Sequence, residues 1–157
     1  MSDMKKTIKT SAVYGVFQLL NGAKLGGLKK NEDKTAVLKV LRELKPVAVK
    51  FEDERKDILE KLKPEGYEDD LRRAQQYEAE MKDGTKPTVL TAKEYQEIIS
   101  RSMAYNREAA KVIDEILVSN VEVDIEPLTD GLIVELMTQN DWTAGQELAV
   151  EEVCGKE

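Results

Sequence analysis

Two long amphipathic stretches, residues 33–62 and 92–118, constrain this chain more than any other feature. In the first, DKTAVLKVLRELKPVAVKFEDERKDILEKLK, apolar side chains fall at Val37, Leu41, Leu44, Ala48, Phe51, Ile58 and Leu62, with Val40 and Val47 beside them. Spacings of three and four place them on one stripe of a helix, a stripe that must be buried against something. Arg55 alone breaks it. Asp33 is the expected N-cap, its carboxylate accepting a first-turn amide. Pro46 lies inside the pattern, lacks a backbone donor and crowds the carbonyl four residues back, so a kink is expected there and not an end.

The second stretch, TAKEYQEIISRSMAYNREAAKVIDEILVSN, has its stripe at Tyr95, Ile99, Met103, Asn106, Ala109 or Ala110, Ile113 and Ile116 or Leu117. Thr91 followed by Glu94 is a capping-box signature and fixes the helix start, while Ser119 and Asn120 end it. An amphipathic helix draws most of its stability from packing its apolar face against a partner. The two stretches are therefore expected to zip together as a long antiparallel hairpin. The fold class that follows is mainly α with a minor β element: this hairpin, short N- and C-terminal helices, and one or two short strands.

At 157 residues the chain reads as a single helical domain, 1–157. Its parts are an N-terminal segment over 1–31, the hairpin over 33–118 with an insert at 63–91, and a C-terminal portion over 119–157. Charged residues make up 35% and aromatics 5%, a balance suited to exposed helices and not to dense β cores. A net charge of −7 argues against nucleic-acid binding, which needs clustered Lys and Arg. The chain has no histidine, which removes the usual proton shuttle and the commonest zinc ligand. Cys154 is the single cysteine, so an internal disulfide is impossible and a reducing compartment is expected. Close to the end of the chain, on a terminus expected to fray, it is a poor nucleophile candidate. MSDMKKTIKT lacks a signal-length apolar run, and no stretch approaches the roughly 20 apolar residues of a membrane span. Neither a membrane nor a nucleic acid is an expected partner, and the expected location is cytoplasmic.

Residues 1–9 are polar, loose or a short edge strand. Ser11 is the expected cap of a short helix carrying Val13, Val16, Phe17, Leu19 and Leu20, stopped by Asn21-Gly22 in the left-handed conformation. That helix is either core or a self-association surface, core being the safer reading. The glycine-rich basic loop GAKLGGLKK lacks the Gly-Lys-Ser/Thr ending of a phosphate loop and reads as a connector. After Pro64 and Gly66, the acids Glu68, Asp69 and Asp70 open a third helix to about Lys82, with Leu71, Ala74, Tyr77 or Glu78, and Met81 on its stripe. Asp83-Gly84 turns into the short extended run KPTVLT. VEVDIEPL alternates strictly and predicts a half-buried strand, paired with residues 87–91 or with the same strand of another subunit. In the tail, Thr129 or Asp130 caps one helix and Asn140 or Asp141 another that carries Leu148, Val150 and Val153, with Trp142 as a packing anchor.

No motif names a reaction. Glu52-Asp53-Glu54, Asp57 and Glu60 resemble the acidic spacing of all-helical magnesium-dependent nucleotide pyrophosphatases, but no second cluster answers them on the other arm. No metal site and no cofactor is expected, and the chain reads as a non-enzyme. The residues best placed to bind something are Arg101, Tyr105, Asn106 and Arg107, with Arg55 joining from the first arm. A guanidinium, a ring and an amide can hold a phosphate, stack a base and read its edge. The bland alternative is surface charge plus a half-buried tyrosine.

The run ELKPVAVKFEDERKDILEKL, the acidic glycine-containing insert, KEYQEIISRS and VEVDIEPLTDGL together resemble small uncharacterised proteins of tailed phages and prophages. The likeness covers most of residues 30–153. It implies a phage-encoded, non-enzymatic accessory protein acting by binding inside a bacterial host cell. Two readings follow. One is a homo-oligomeric host-defence evasion protein that sequesters a small anionic nucleotide signal. The other is a virion assembly helper working through phage or host protein contacts. A magnesium-dependent nucleotide hydrolase is the third.

Overall fold

The computed structural model describes residues 5–156 and divides the chain into two compact units, Arg55–Asp114 and the segments on either side of it. The described residues form β1 (Lys5–Lys9), α1 (Thr10–Asn21), α2 (Asn31–Leu62), α3 (Tyr67–Lys82), α4 (Ala92–Leu117), β2 (Asn120–Asp124), α5 (Asp130–Asn140) and α6 (Ala144–Cys154). The molecule is mainly helical with one small sheet. The unit boundaries fall inside α2 and α4, each of which contributes to both units.

The flanking unit is organised on an antiparallel pair, β1 with β2, in which Lys6 lies opposite Val123 and Ile8 opposite Val121. Alternation puts Ile8 and Val123 into the core and leaves Thr7 and Glu122 outside. Residues 87–91 are not a strand, and within the chain VEVDIEPL pairs with β1. Charge accounts for the choice: the lysines of KKTIK face the acids of β2, with Lys5 Nζ 3.6 Å from Glu122. Beneath the sheet, Val13, Val16 and Leu20 of α1 join Val37, Val40 and Leu44 of α2, and Leu132, Ile133, Leu136, Val150 and Val153 of the last two helices. The apolar N-terminal helix is thus core, as the safer reading held.

Several helix ends differ in detail from the sequence reading. Lys9, not Ser11, precedes α1, and no side chain caps it; buried Thr10 instead bonds through its N–H and hydroxyl to the Ser119 carbonyl. Gly22 closes α1 at φ −89°, outside the left-handed region, so a helical C-cap needed no glycine there. α2 begins at Asn31, two residues before Asp33, and the Lys30 carbonyl accepts from the Asp33 and Lys34 amides. It runs through Pro46 without ending. Thr129 caps α5 as expected, accepting from Leu132 N–H. Asp141, at φ 54°, terminates α5 and does not start α6; Thr143 and Gln146 form the capping box there. Trp142 is buried between them as the anchor expected.

The residues around Cys154 are not frayed. The Cys154 carbonyl accepts from Leu128 N–H at 2.7 Å, and Lys6 Nζ donates to Gly155 O at 2.6 Å. The Cys154 thiol is fully buried. Leu148 lies outside the core at 60% exposure, a correction to the tail stripe.

The Arg55–Asp114 unit holds the end of α2, all of α3 and most of α4. Gly66 adopts φ 73° just before α3, a conformation a side chain would oppose, and the acids Glu68, Asp69 and Asp70 fill its first turn. The Thr91–Glu94 capping box forms in both directions, at 3.0 and 3.1 Å. α3 and α4 pack antiparallel, since Tyr67 meets Tyr105, Asp70 meets Arg101 and Tyr77 meets Tyr95. The fully buried apolar cluster here is Ala74, Leu90 and Ile98.

These packings alter the zipped hairpin. The two stretches are helices and do touch, through Tyr105 Oη donating to the Leu59 carbonyl at 2.8 Å. Yet the α2 stripe from Val37 to Leu44 is buried against α1, β2, α5 and α6, while α4 buries Ile98 against α3. Met103 and Asn106, read as seam residues, are exposed, as is Met81 on α3. The actual inward line on α4 is Tyr95, Ile98, Ser102, Tyr105 and Ala109. Tyr95 and Ala109 were on the expected stripe; between them the line passes through Ile98, Ser102 and Tyr105, one position before Ile99, Met103 and Asn106, because a partly polar line with Ser102 scores below Met103 on apolarity alone.

Candidate functional site

The residues singled out in RSMAYNRE lie on α4, where successive side chains turn by roughly 100°. Arg101 and Tyr105, one turn apart, come together on one side. Arg107 is two residues past Tyr105 and so points to a different side, and Asn106 falls between; both are exposed. Arg55 is exposed on α2. The structure therefore brings Arg101 and Tyr105 together and turns Asn106 and Arg107 away from them.

What it assembles is centred on a residue the sequence reading passed over. Asp70, its side chain only 15% exposed, receives Arg73 Nη2 on one oxygen at 2.7 Å and Arg101 Nη2 on the other at 3.2 Å. The bond it donates to Asp70 is the main cause that holds the Arg73 guanidinium above its ordinary range. Arg73 Nε lies 3.6 Å from Asp69, within Coulombic reach but too far for a hydrogen bond, and is buried without one. The adjoining wall is aromatic: Tyr67 and Tyr105 meet edge to face at 4.9 Å. Tyr77 stacks on Tyr95 at 4.4 Å, and Tyr95 Oη donates to Glu78, which raises the phenol above its usual value. The signal was present in EDDLRR, where Asp70 and Arg73 stand three apart. Arg101 needed α3 and α4 to be docked before its partner could be named.

The flanking unit contains a cavity of about 360 Å³ between α2 and the start of β2. Val47, Phe51, Ile116 and Val121 give it an apolar wall, with Pro46 at its edge. Lys50 and Glu54 on the rim pair with each other at 3.8 Å, and Glu122 pairs with Lys5. The ion pairs leave little net charge to select an ionic ligand.

The glycine loop is a connector, as read. Its Lys24 amide donates to Asn140 Oδ1 at 2.6 Å and its Lys29 amide to Glu135 at 3.4 Å, so these donors point at α5 and not at an anion. The acids of the first long stretch are solvated: Glu52 accepts from Tyr14 Oη at 3.0 Å, and Asp53, Asp57 and Glu60 are exposed. Among the described residues no group of three or more Cys, Asp and Glu side chains gathers to hold a metal ion. No described helix is long and apolar enough to cross a membrane.

No family model, no curated protein and no solved structure matches this chain.

Proposed function

We propose that this is a non-enzymatic accessory protein that works by binding another protein, with the Arg55–Asp114 unit as its contact surface. The observation that carries this reading is the imbalance of that unit. About 60 residues, helices and their connections together, bury only the apolar side chains of Ala74, Leu90, Ile98 and Ala109, a small return for a segment of that size. Meanwhile Leu59, Met81 and Met103 stand 38%, 55% and 56% exposed, one on each of its helices. Methionines are flexible and polarisable, which suits a surface that adapts to a partner. A virion component, a host protein or a second copy of the chain fits such a surface, and the phage-like setting suggested by the sequence makes the first two the classes to test.

The test is a pull-down and a solution mass measurement on the intact chain and on Met81→Lys/Met103→Lys. The expected outcome is a complex or oligomer that the double variant loses while its melting temperature stays within a few degrees. A strictly monomeric chain that captures no phage or host protein would remove the proposal.

A second reading draws on Arg101 and Tyr105 sharing one side of α4 beside Arg73. It has the cluster take the phosphate of a small nucleotide-derived signal, in exchange for the Asp70 carboxylate. Titration calorimetry with cyclic dinucleotides and ADP-ribose derivatives decides it: heat that Arg101→Ala abolishes supports capture, and no heat from any of them removes it.

A further inference from the structure

The cavity of about 360 Å³ in the flanking unit falls at the small end of the range for small-molecule sites, with room for roughly ten to fifteen non-hydrogen atoms. In its apolar wall Phe51 is buried, and Val47 and Val121 pack half-buried against the core. Thr10, 3% exposed, and Ser119 form a hydroxyl patch in the same lining. Thr10 Oγ1 donates to the Ser119 carbonyl at 3.0 Å and lies 3.2 Å from Ser119 Oγ, while Ser119 Oγ donates to the Ile116 carbonyl at 2.5 Å. A hydroxyl has one proton to give and two lone pairs to offer. Both protons are thus already committed to acceptors of this chain, and lone pairs remain. A molecule that bonds to this patch must donate.

The other ionisable side chains of the lining are Lys50, Glu54 and Glu122. Two carboxylates against one ammonium disfavour an anion. The ammonium is also drawn toward water, its side chain 79% exposed and 3.8 Å from Glu54. A cation gains little either, because Glu54 has Lys50 and Glu122 has Lys5 at 3.6 Å, and entering an apolar cavity would cost it hydration. We propose that this cavity binds a neutral apolar molecule with a single hydrogen-bond donor, of the alkylphenol class. The ring and alkyl group lie against Val47, Phe51, Ile116 and Val121, an aromatic body suiting the Phe51 ring, and the hydroxyl donates to the Thr10–Ser119 patch. Every lining residue belongs to the flanking unit, so this site is independent of the Arg55–Asp114 contact surface.

The probe is para-propylphenol, titrated into the full chain and followed by methyl NMR. Its comparators are para-propylanisole, the same body without the donor, and para-propylbenzoate, which brings an anion. The phenol is expected to shift the methyls of Val47, Ile116 and Val121 saturably and to leave those of Val150 and Val153 in place. The ether is expected to bind roughly fivefold to tenfold more weakly, the effect of one hydrogen bond, and the benzoate more weakly still. Val47→Phe, which fills the cavity from a half-buried position, is expected to abolish the shifts while the thermal transition persists. Thr10→Val/Ser119→Ala, which removes both hydroxyls, is expected to bring phenol and ether to equal affinity. Should that double variant fail to fold, the comparison of phenol with ether on the native chain still decides. No saturable shift, shifts confined to other methyls, or binding of the ether or the benzoate as tight as that of the phenol overturns the proposal.

Discussion

Single side chains in this molecule matter mostly through the backbone groups they satisfy. The Thr143 hydroxyl accepts from Gln146 N–H while Gln146 Oε1 accepts from Thr143 N–H, closing the start of α6 in both directions. Thr143→Ala is expected to cost about 1 kcal/mol, read as a lowered urea midpoint with an unchanged slope. Cys154 acts differently. Burial pushes its thiol up to about 12 from an ordinary 9.0, with the Lys6 ammonium pulling weakly the other way. A group raised in the folded state contributes stability that is whole below the unfolded value and is lost as pH climbs through the folded one. Between pH 9 and about 12 the fold should therefore lose up to roughly 1.4 kcal/mol per pH unit from this thiol. Melting curves of the native chain and of Cys154→Ala across that range check it: the variant starts lower but lacks this part of the slope. Below pH 9 the folded thiol should also resist alkylation.

Among the elements, α2 carries its own internal test. Pro46 has no N–H to offer the Arg42 carbonyl, yet the helix continues to Leu62. Pro46→Ala is expected to stabilise by roughly 2 kcal/mol, the helix-interior penalty of proline less the entropy its ring removes from the unfolded chain. Chemical denaturation measures it, and a destabilised variant would show that Pro46 packing at the cavity edge outweighs the missing bond. The elements themselves were legible in the sequence wherever a local rule suffices. Thr91 with Glu94 and Thr129 needed only their neighbours, and Pro64, Gly66 and the acids that follow marked the start of α3. Partners were not legible, because periodicity says that a stripe is buried and not against what. Thus Val37 to Leu44 looked ready to meet α4 and instead meets the N- and C-terminal elements. The same limit hid the site: Arg101 was visible in RSMAYNRE, but Asp70, which engages it, lies 31 residues away on another helix.

For the whole molecule, the two units differ in how much each encloses. The flanking unit buries Leu44, Leu136, Val150 and Val153 completely, whereas the Arg55–Asp114 unit relies on Ala74, Leu90, Ile98 and its tyrosine pairs. Hydrogen exchange should find the slowest amides in α1, α5 and α6 and faster ones across α3, since local opening costs less where few apolar contacts are broken. Leu44→Ala, at a site with no exposure, is expected to cost about 2–5 kcal/mol. Ile98→Ala should speed exchange in α3 while leaving α5 and α6 unchanged; uniform acceleration everywhere would mean that the units open as one. The division has a bearing on synthesis too. One unit is an uninterrupted segment, whereas the other needs β1 and α1 to find β2, α5 and α6 across more than a hundred residues, as in the contact of Thr10 with Ser119. On the ribosome, then, the sparsely filled middle can take shape first, and the well-filled body must wait, with its opening strand unmatched, until the last helix has emerged.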